Sequence, residues 1–133
     1  MPNYYENVLT ISGDVKEIAM LKSRACGKDD SGKTVPFSFK SFFAECSRGR
    51  VSNWGTRGDA FNAEIIYNGR KKVSYSYLTA TTPGETFLEK VSREYPNIKF
   101  DLEYFSLDAG HKGLVFYKNG KALQETEGLM EAK

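Results

Sequence analysis

The sequence predicts an α+β fold, with an antiparallel sheet that carries two helices on one face. Three observations predict it. Val73 to Phe105 reads as a strand, a helix and a second strand with little slack between them. Tyr4 to Cys26 reads as an earlier strand and helix. Two Asn-Gly pairs, Asn68-Gly69 and Asn119-Gly120, are the residues that tight hairpins favour.

Tyr4 to Ser12 is the first strand, with Leu9 and Ile11 on one face and Val8 and Thr10 on the other. Gly13 turns the chain. Asp14 is placed to cap the next helix, and Glu17 follows at capping-box spacing. Val15, Ile18, Ala19, Leu21, Ala25 and Cys26 fall on one broad helical face. Gly27 is expected to end that helix as a C′ glycine.

An irregular insertion, 27–52, comes next. Lys28 to Lys33 is polar, whereas Phe37, Phe39, Phe42 and Phe43 would be costly to leave together in water. Their spacing allows a short helix or an anchored loop. Phe61, Ala63, Ile65 and Tyr67 then alternate as a strand. Asn68-Gly69 turns it into a partner opening at Lys71 or Lys72 and running through Thr79.

Thr82-Pro83-Gly84-Glu85 is a helix start, Phe87, Leu88, Val91 and Tyr95 give its apolar side, and Pro96 stops it. Ile98 to Phe105 alternates cleanly, Ser106 to Gly110 turns, and His111 to Lys118 is another strand. Ala122 to Thr126 is expected to complete a last hairpin as a short edge strand. Without the additions the order is βαββαβ, the split βαβ order of a ferredoxin-like sandwich. The expected organisation is one domain over 1–127, then a polar tail at 128–133.

The charge balance excludes little but weakens some partners. The net charge is +2, and the excess lies entirely in the first fifty residues. That is too small to announce a nucleic-acid or anionic-membrane partner. No uncharged run is long enough to span a bilayer, and no leader-like stretch opens the chain, so the expected location is cytoplasmic. Cys26 and Cys46 form neither a CxxC pair nor a Cys/His cluster and read as isolated thiols.

Several motifs carry a resemblance. Met1-Pro2-Asn3 with Leu9-Thr-Ile-Ser-Gly13, then Phe37-Ser-Phe39 and Asn53-Trp-Gly-Thr56 with Asp59-Ala60, resemble the YubB-type ferredoxin-like domain family. Thr79-Ala80 with Pro83, Tyr95-Pro96, Leu102 to Phe105, and Gly110 with Gly113 continue the likeness in order. The resemblance covers nearly the whole chain. It departs at Gly58, where the family often has an aromatic, and at Thr81 to Gly84, where it often has Trp-Ser-Pro-Pro. Ser106 stands where the family often has Glu. The resemblance implies the fold and a phage, plasmid or other mobile-element background. It implies no reaction.

The candidate contact site is Asn53, Trp54, Thr56, Arg57 and Asp59, which gather donors, acceptors and a large aromatic in one turn. The same residues also make an ordinary structural turn, with Trp54 plugging the core and Asp59 capping nearby amides. Gly27 to Thr34 satisfies the GxxxxGK[ST] pattern, yet a helix precedes it, Pro36 follows it, and Asp29 and Asp30 would face the phosphates. It reads as a solvated loop.

Arg70, Lys71 and Lys72, with Tyr75, Tyr77, Phe100 and Tyr104 nearby, make a weaker case for single-stranded nucleic acid. His111 is the sole histidine and has no motif partner, and no carboxylate or histidine spacing marks a metal or cofactor site. The reading leans away from an enzyme. It favours a small accessory or protein-interaction domain, with nucleic acid and a hydrolase-like site as alternatives.

Overall fold

The computed structural model describes residues 4–28, 31–42, 59–80 and 82–129. They form β1 (Tyr4–Gly13), α1 (Val15–Ala25), β2 (Gly27–Lys28), β3 (Thr34–Val35), β4 (Phe61–Asn68), β5 (Lys72–Ala80), α2 (Glu85–Glu94), β6 (Ile98–Ser106), β7 (His111–Lys118) and β8 (Lys121–Leu129). The main sheet has the order β4-β5-β1-β6-β7-β8, and its pairings are antiparallel. Its first four strands are the second, third, first and fourth of a βαββαβ chain. This is the ferredoxin-like split βαβ arrangement with two helices on one face.

The final hairpin extends the sheet beyond β6. β8 reaches Leu129, past the 122–126 span that its apolar pattern indicates. Asn119 and Gly120 turn with φ of 51° and 80°, both positive as a two-residue hairpin of this kind requires.

Strand parity decides what is buried. Tyr5, Asn7, Leu9 and Ile11 of β1 face the helices, as do Val73, Tyr75 and Tyr77 of β5. Ile98, Phe100, Leu102 and Tyr104 of β6 do the same. Ile18 and Leu21 of α1 and Phe87, Leu88 and Val91 of α2 close the layer. Burying each such Leu, Ile or Phe is worth about 1.5–3 kcal/mol. The opposite face carries Glu6, Val8, Thr10, Leu78, Asp101, Glu103, Leu114 and Phe116, and among the described residues no helix lies over it.

Residues 37–42 of the Phe-rich insertion belong to the core as an anchored turn, not as a helix. Phe42 N donates to Phe39 O at 3.0 Å. Phe37 stacks on Tyr77 with centroids 4.7 Å apart and meets Tyr75 at 5.0 Å, while Phe39 lies 4.4 Å from Phe87. Arg24 fastens this turn to both helices: it donates to Phe42 O at 2.8 Å and pairs with Glu94 at 2.6 Å.

Three helix-end expectations need revision or refinement. Asp14 does cap α1, accepting from Glu17 N at 3.0 Å, but the Glu17 carboxylate turns to Asn97 instead of completing a capping box. Gly27 does follow the Cys26 C-cap, at C′, but it is not left-handed: Cys26 leaves α1 in an extended conformation and Gly27 starts β2. Its need for a missing side chain is steric, since a Cβ there would lie 2.7 Å from Ser38 Oγ. At α2 the cap is Gly84, left-handed at φ 87°, a conformation that costs a side-chain-bearing residue about 1 kcal/mol. Thr82 supports it by accepting from Gly84 N at 3.3 Å.

Candidate functional site

β4 is the one edge strand whose side chains are described along its length, and it is exposed along almost all of it. Simple alternation puts Phe61, Ala63, Ile65 and Tyr67 on one face. The structure splits them. Register shifts between Phe61 and Glu64 and between Ile65 and Tyr67 break the parity, and Asn62 sits at φ 53° inside the first. Phe61 and Tyr67 therefore pair with Leu78 and Ser74 on the helix-free face, while Ile65 pairs with Tyr75 on the other. The result is an edge with apolar groups on both sides: Ile65, Ile66 and Tyr67 remain 41%, 53% and 54% exposed. Tyr4 continues the patch, meeting Phe61 edge-on at 5.9 Å. Bulges blunt an edge against indiscriminate pairing, but exposed Ile and Tyr do not.

Of the contact residues expected from sequence, Asn53, Trp54, Thr56 and Arg57 lie outside the described residues, as do Phe43 and Cys46. Asp59 is described. Its carboxylate accepts from Phe39 N at 2.6 Å, Lys40 N at 3.3 Å and Ala60 N at 2.7 Å. It fastens the Phe-rich turn to the start of β4. Burial raises its pKa above the ordinary carboxylate value, and the amides and Lys40 oppose the shift without cancelling it.

The GxxxxGK[ST] stretch is a β-hairpin at its two ends. Gly27 pairs with Val35 and Lys28 with Thr34, and a turn rather than a helix follows, so no helix N-terminus is presented to a phosphate. Arg70, Lys71 and Lys72 are exposed at the β4–β5 hairpin. They stand at the far end of β4 from Asp59, about 24 Å away at the usual rise per residue. The aromatics proposed as their stacking partners are buried under the helices: Tyr75, Tyr77, Phe100 and Tyr104 are 1%, 2%, 0% and 3% exposed. Burial pushes the Tyr75 and Tyr77 phenols up, so they stay un-ionised.

His111 joins a small cluster at the opposite end of the sheet. Its Nδ1 lies 3.1 Å from Tyr5 OH, and its ring packs against Tyr104. Asn7, beside it, is a residue that pattern reading passed over. Its Nδ2 donates to Tyr5 O, Tyr77 O and Thr79 Oγ1, tying β1 to β5, and its buried Oδ1 has no hydrogen-bond partner among the described residues. The two carbonyl partners fix the amide orientation, because a flipped oxygen would face them. The sequence signal was there: Asn7 is a polar residue in the inward series that includes Leu9 and Ile11.

A groove of about 1960 Å³ runs along the helix-free face and around the β4 edge to the β2–β3 hairpin. It exceeds the usual size of a small-molecule cleft, about 300–1,000 Å³. Among the described residues there is no group of three or more His, Cys, Asp or Glu placed to hold a metal. None of their helices is long and apolar enough to cross a membrane.

No curated protein matches the chain, and no solved structure does. One family profile, described as the ferredoxin-like domain in Api92-like protein, matches residues 60–133, from the start of β4 through the sheet-extending hairpin. The match covers more than half of the chain and agrees with the strand order above. The chain belongs to that ferredoxin-like domain family of Api92-like proteins.

Proposed function

We propose that the chain is a small accessory domain that acts by binding a protein partner along the β4 edge. One observation carries this reading: Ile65, Ile66 and Tyr67 project from both sides of an edge that has no further strand partner among the described residues. An extended partner segment would add backbone hydrogen bonds there and cover these side chains. Each is already about half covered, so covering the rest is worth about 1 kcal/mol apiece before the costs of association.

Asn53, Trp54, Thr56 and Arg57 lead directly into the strand through Asp59 and would extend the contact. The likeness to the YubB-type family supports a phage-, plasmid- or mobile-element-related role; a cytoplasmic location and a single domain that runs to the end of β8 at Leu129 complete the reading.

The test is capture from a native lysate on immobilised chain, wild type against Ile66→Lys. Recovery of a defined protein by the wild type and its loss from the variant supports the reading. Equal recovery by both contradicts it. A second reading, a single-stranded nucleic-acid binder using Arg70, Lys71 and Lys72, draws support from their exposure at the hairpin end of the same sheet.

A further inference from the structure

We propose that the hairpin end of the helix-free sheet face binds the phosphodiester backbone of single-stranded nucleic acid, along a rim completed by Lys99, Lys118 and Lys121. The proposal rests on the second reading above and assigns the rest of its site. These three lysines are remote from Arg70–Lys72 in sequence. The sheet brings them together.

Lys72 pairs with Ser12, Ser12 pairs with Lys99, and Lys118 pairs with Lys121 across the last hairpin. Lys118 shares the helix-free face with Phe116, two residues before it on β7. From β5 to β8 the rim crosses four strand steps, about 19 Å. All these lysines are exposed, and Arg70 and Lys71 adjoin the rim in the β4–β5 loop.

Most of these charges have no ion-pair partner among the described residues. Among the described residues, Arg70, Lys71, Lys118 and Lys121 make no ion pair. Lys99 has Asp101 at 3.6 Å, and Glu103 lies two residues further along the same strand face. Lys118 directly opposes Lys121, a like-charge pair that weakens a sheet. A polyanion would reverse that cost.

Both hairpins are also held in place. Lys22 Nζ donates to Asn68 Oδ1 and Gly69 O at 2.9 and 3.0 Å, and Gly120 N donates to Ser92 Oγ at 2.8 Å. The cations thus sit on a fixed backbone.

Aromatic rings lie beside them. Lys72 stands over Tyr67 at 5.4 Å and Lys99 over Phe116 at 4.4 Å. Tyr67 is 54% exposed, so one ring is open to a base, unlike the buried tyrosines of β5. A line of cations next to an open ring fits an unpaired strand, whose bases can stack, better than a duplex, whose bases are hidden.

The experiment is fluorescence anisotropy with a labelled oligothymidine of about 12 nucleotides, from about 50 to about 200 mM salt. Each neutralised phosphate contributes about −0.7 to the log–log salt slope on single strands, so the five cations other than Lys99, which has Asp101 beside it, give a slope near −3.5 and roughly a 100-fold loss of affinity over that range.

Lys118→Gln/Lys121→Gln should make the slope shallower by about 1.4, with the thermal transition unchanged or raised. Tyr67→Ala should weaken binding about five-fold or more without changing the slope.

No binding at low salt overturns both this proposal and the reading it rests on. Binding that Arg70→Gln/Lys71→Gln weakens but Lys118→Gln/Lys121→Gln leaves untouched overturns the assigned rim alone. Equal affinity for a duplex, or binding only to vesicles with roughly 30% phosphatidylserine, overturns the single-strand assignment.

Discussion

Replacing Gly113 with alanine tests how tightly the Tyr5–Tyr104–His111 end of the core is packed. A Cβ on Gly113 would lie 2.3 Å from the Tyr104 hydroxyl oxygen and 2.4 Å from its Cζ. An ordinary contact needs more than an ångström of retreat. The ring has little room, because Tyr104 is only 3% exposed and packs against Tyr5 at 5.8 Å and His111 at 5.6 Å. Overpacking of this kind costs about 1–3 kcal/mol. The lower backbone entropy of unfolded alanine returns about 0.4–1 kcal/mol. The net expectation is a loss of about 1–2 kcal/mol.

At about 2.1 cal/mol/K per residue over 133 residues, 1 kcal/mol moves Tm by about 3.6 °C. Thermal denaturation should therefore show a fall of about 4–7 °C. Tyr104→Leu supplies the control: in the double variant the alanine should cost almost nothing, a coupling of about 1 kcal/mol or more. A Gly113→Ala protein as stable as the wild type, or additive losses in the pair, would refute this picture of the packing.

Two further outcomes follow from the insertion. Phe37→Ala removes a ring that is 1% exposed and meets Tyr75, Tyr77 and Phe87, so urea unfolding should show a loss of about 3–5 kcal/mol. A loss under about 1 kcal/mol would mean that the insertion is not part of the core. Asp59 gives a pH signature. Its folded pKa is raised, so the folded state holds the proton more tightly than the unfolded state, and the associated stability is present below the unfolded value of 3.8 and lost as pH rises through the folded value. Wild-type stability relative to Asp59→Asn should therefore fall as pH climbs through that window in paired urea titrations. A difference that rises with pH would show the carboxylate to be held by its amides more than it is penalised by burial.

Much of the fold was legible because local chemistry and global placement agree. The inward series of β6, from Ile98 through Tyr104, is visible as plain alternation, and Asp14 announces the start of α1. Asn119-Gly120 turns as that pair should, whereas Asn68 stays in β4 and a longer loop turns instead. The misses depend on distant neighbours. Nothing local to Gly27 reveals Ser38 above it, so a helix-ending role looked natural. The β4 bulges arise from its pairing with β5, and they alone move Phe61 and Tyr67 to the other face from Ile65. The basic rim was read only at Arg70–Lys72, because Lys99, Lys118 and Lys121 become its neighbours only through the sheet register. Of the Asn53–Asp59 segment, only Asp59 has a described environment, and its carboxylate serves the architecture of the insertion.

The most direct measurement of the β4-edge role compares quantitative capture from one native lysate by the wild type, Ile65→Lys/Ile66→Lys and Lys118→Gln/Lys121→Gln, each first shown to be folded by its thermal transition. A partner on this edge should be recovered by the wild type and by the lysine-rim variant, and lost from the double isoleucine variant. Retention of the same protein by the double isoleucine variant at wild-type level would contradict the role assigned to β4.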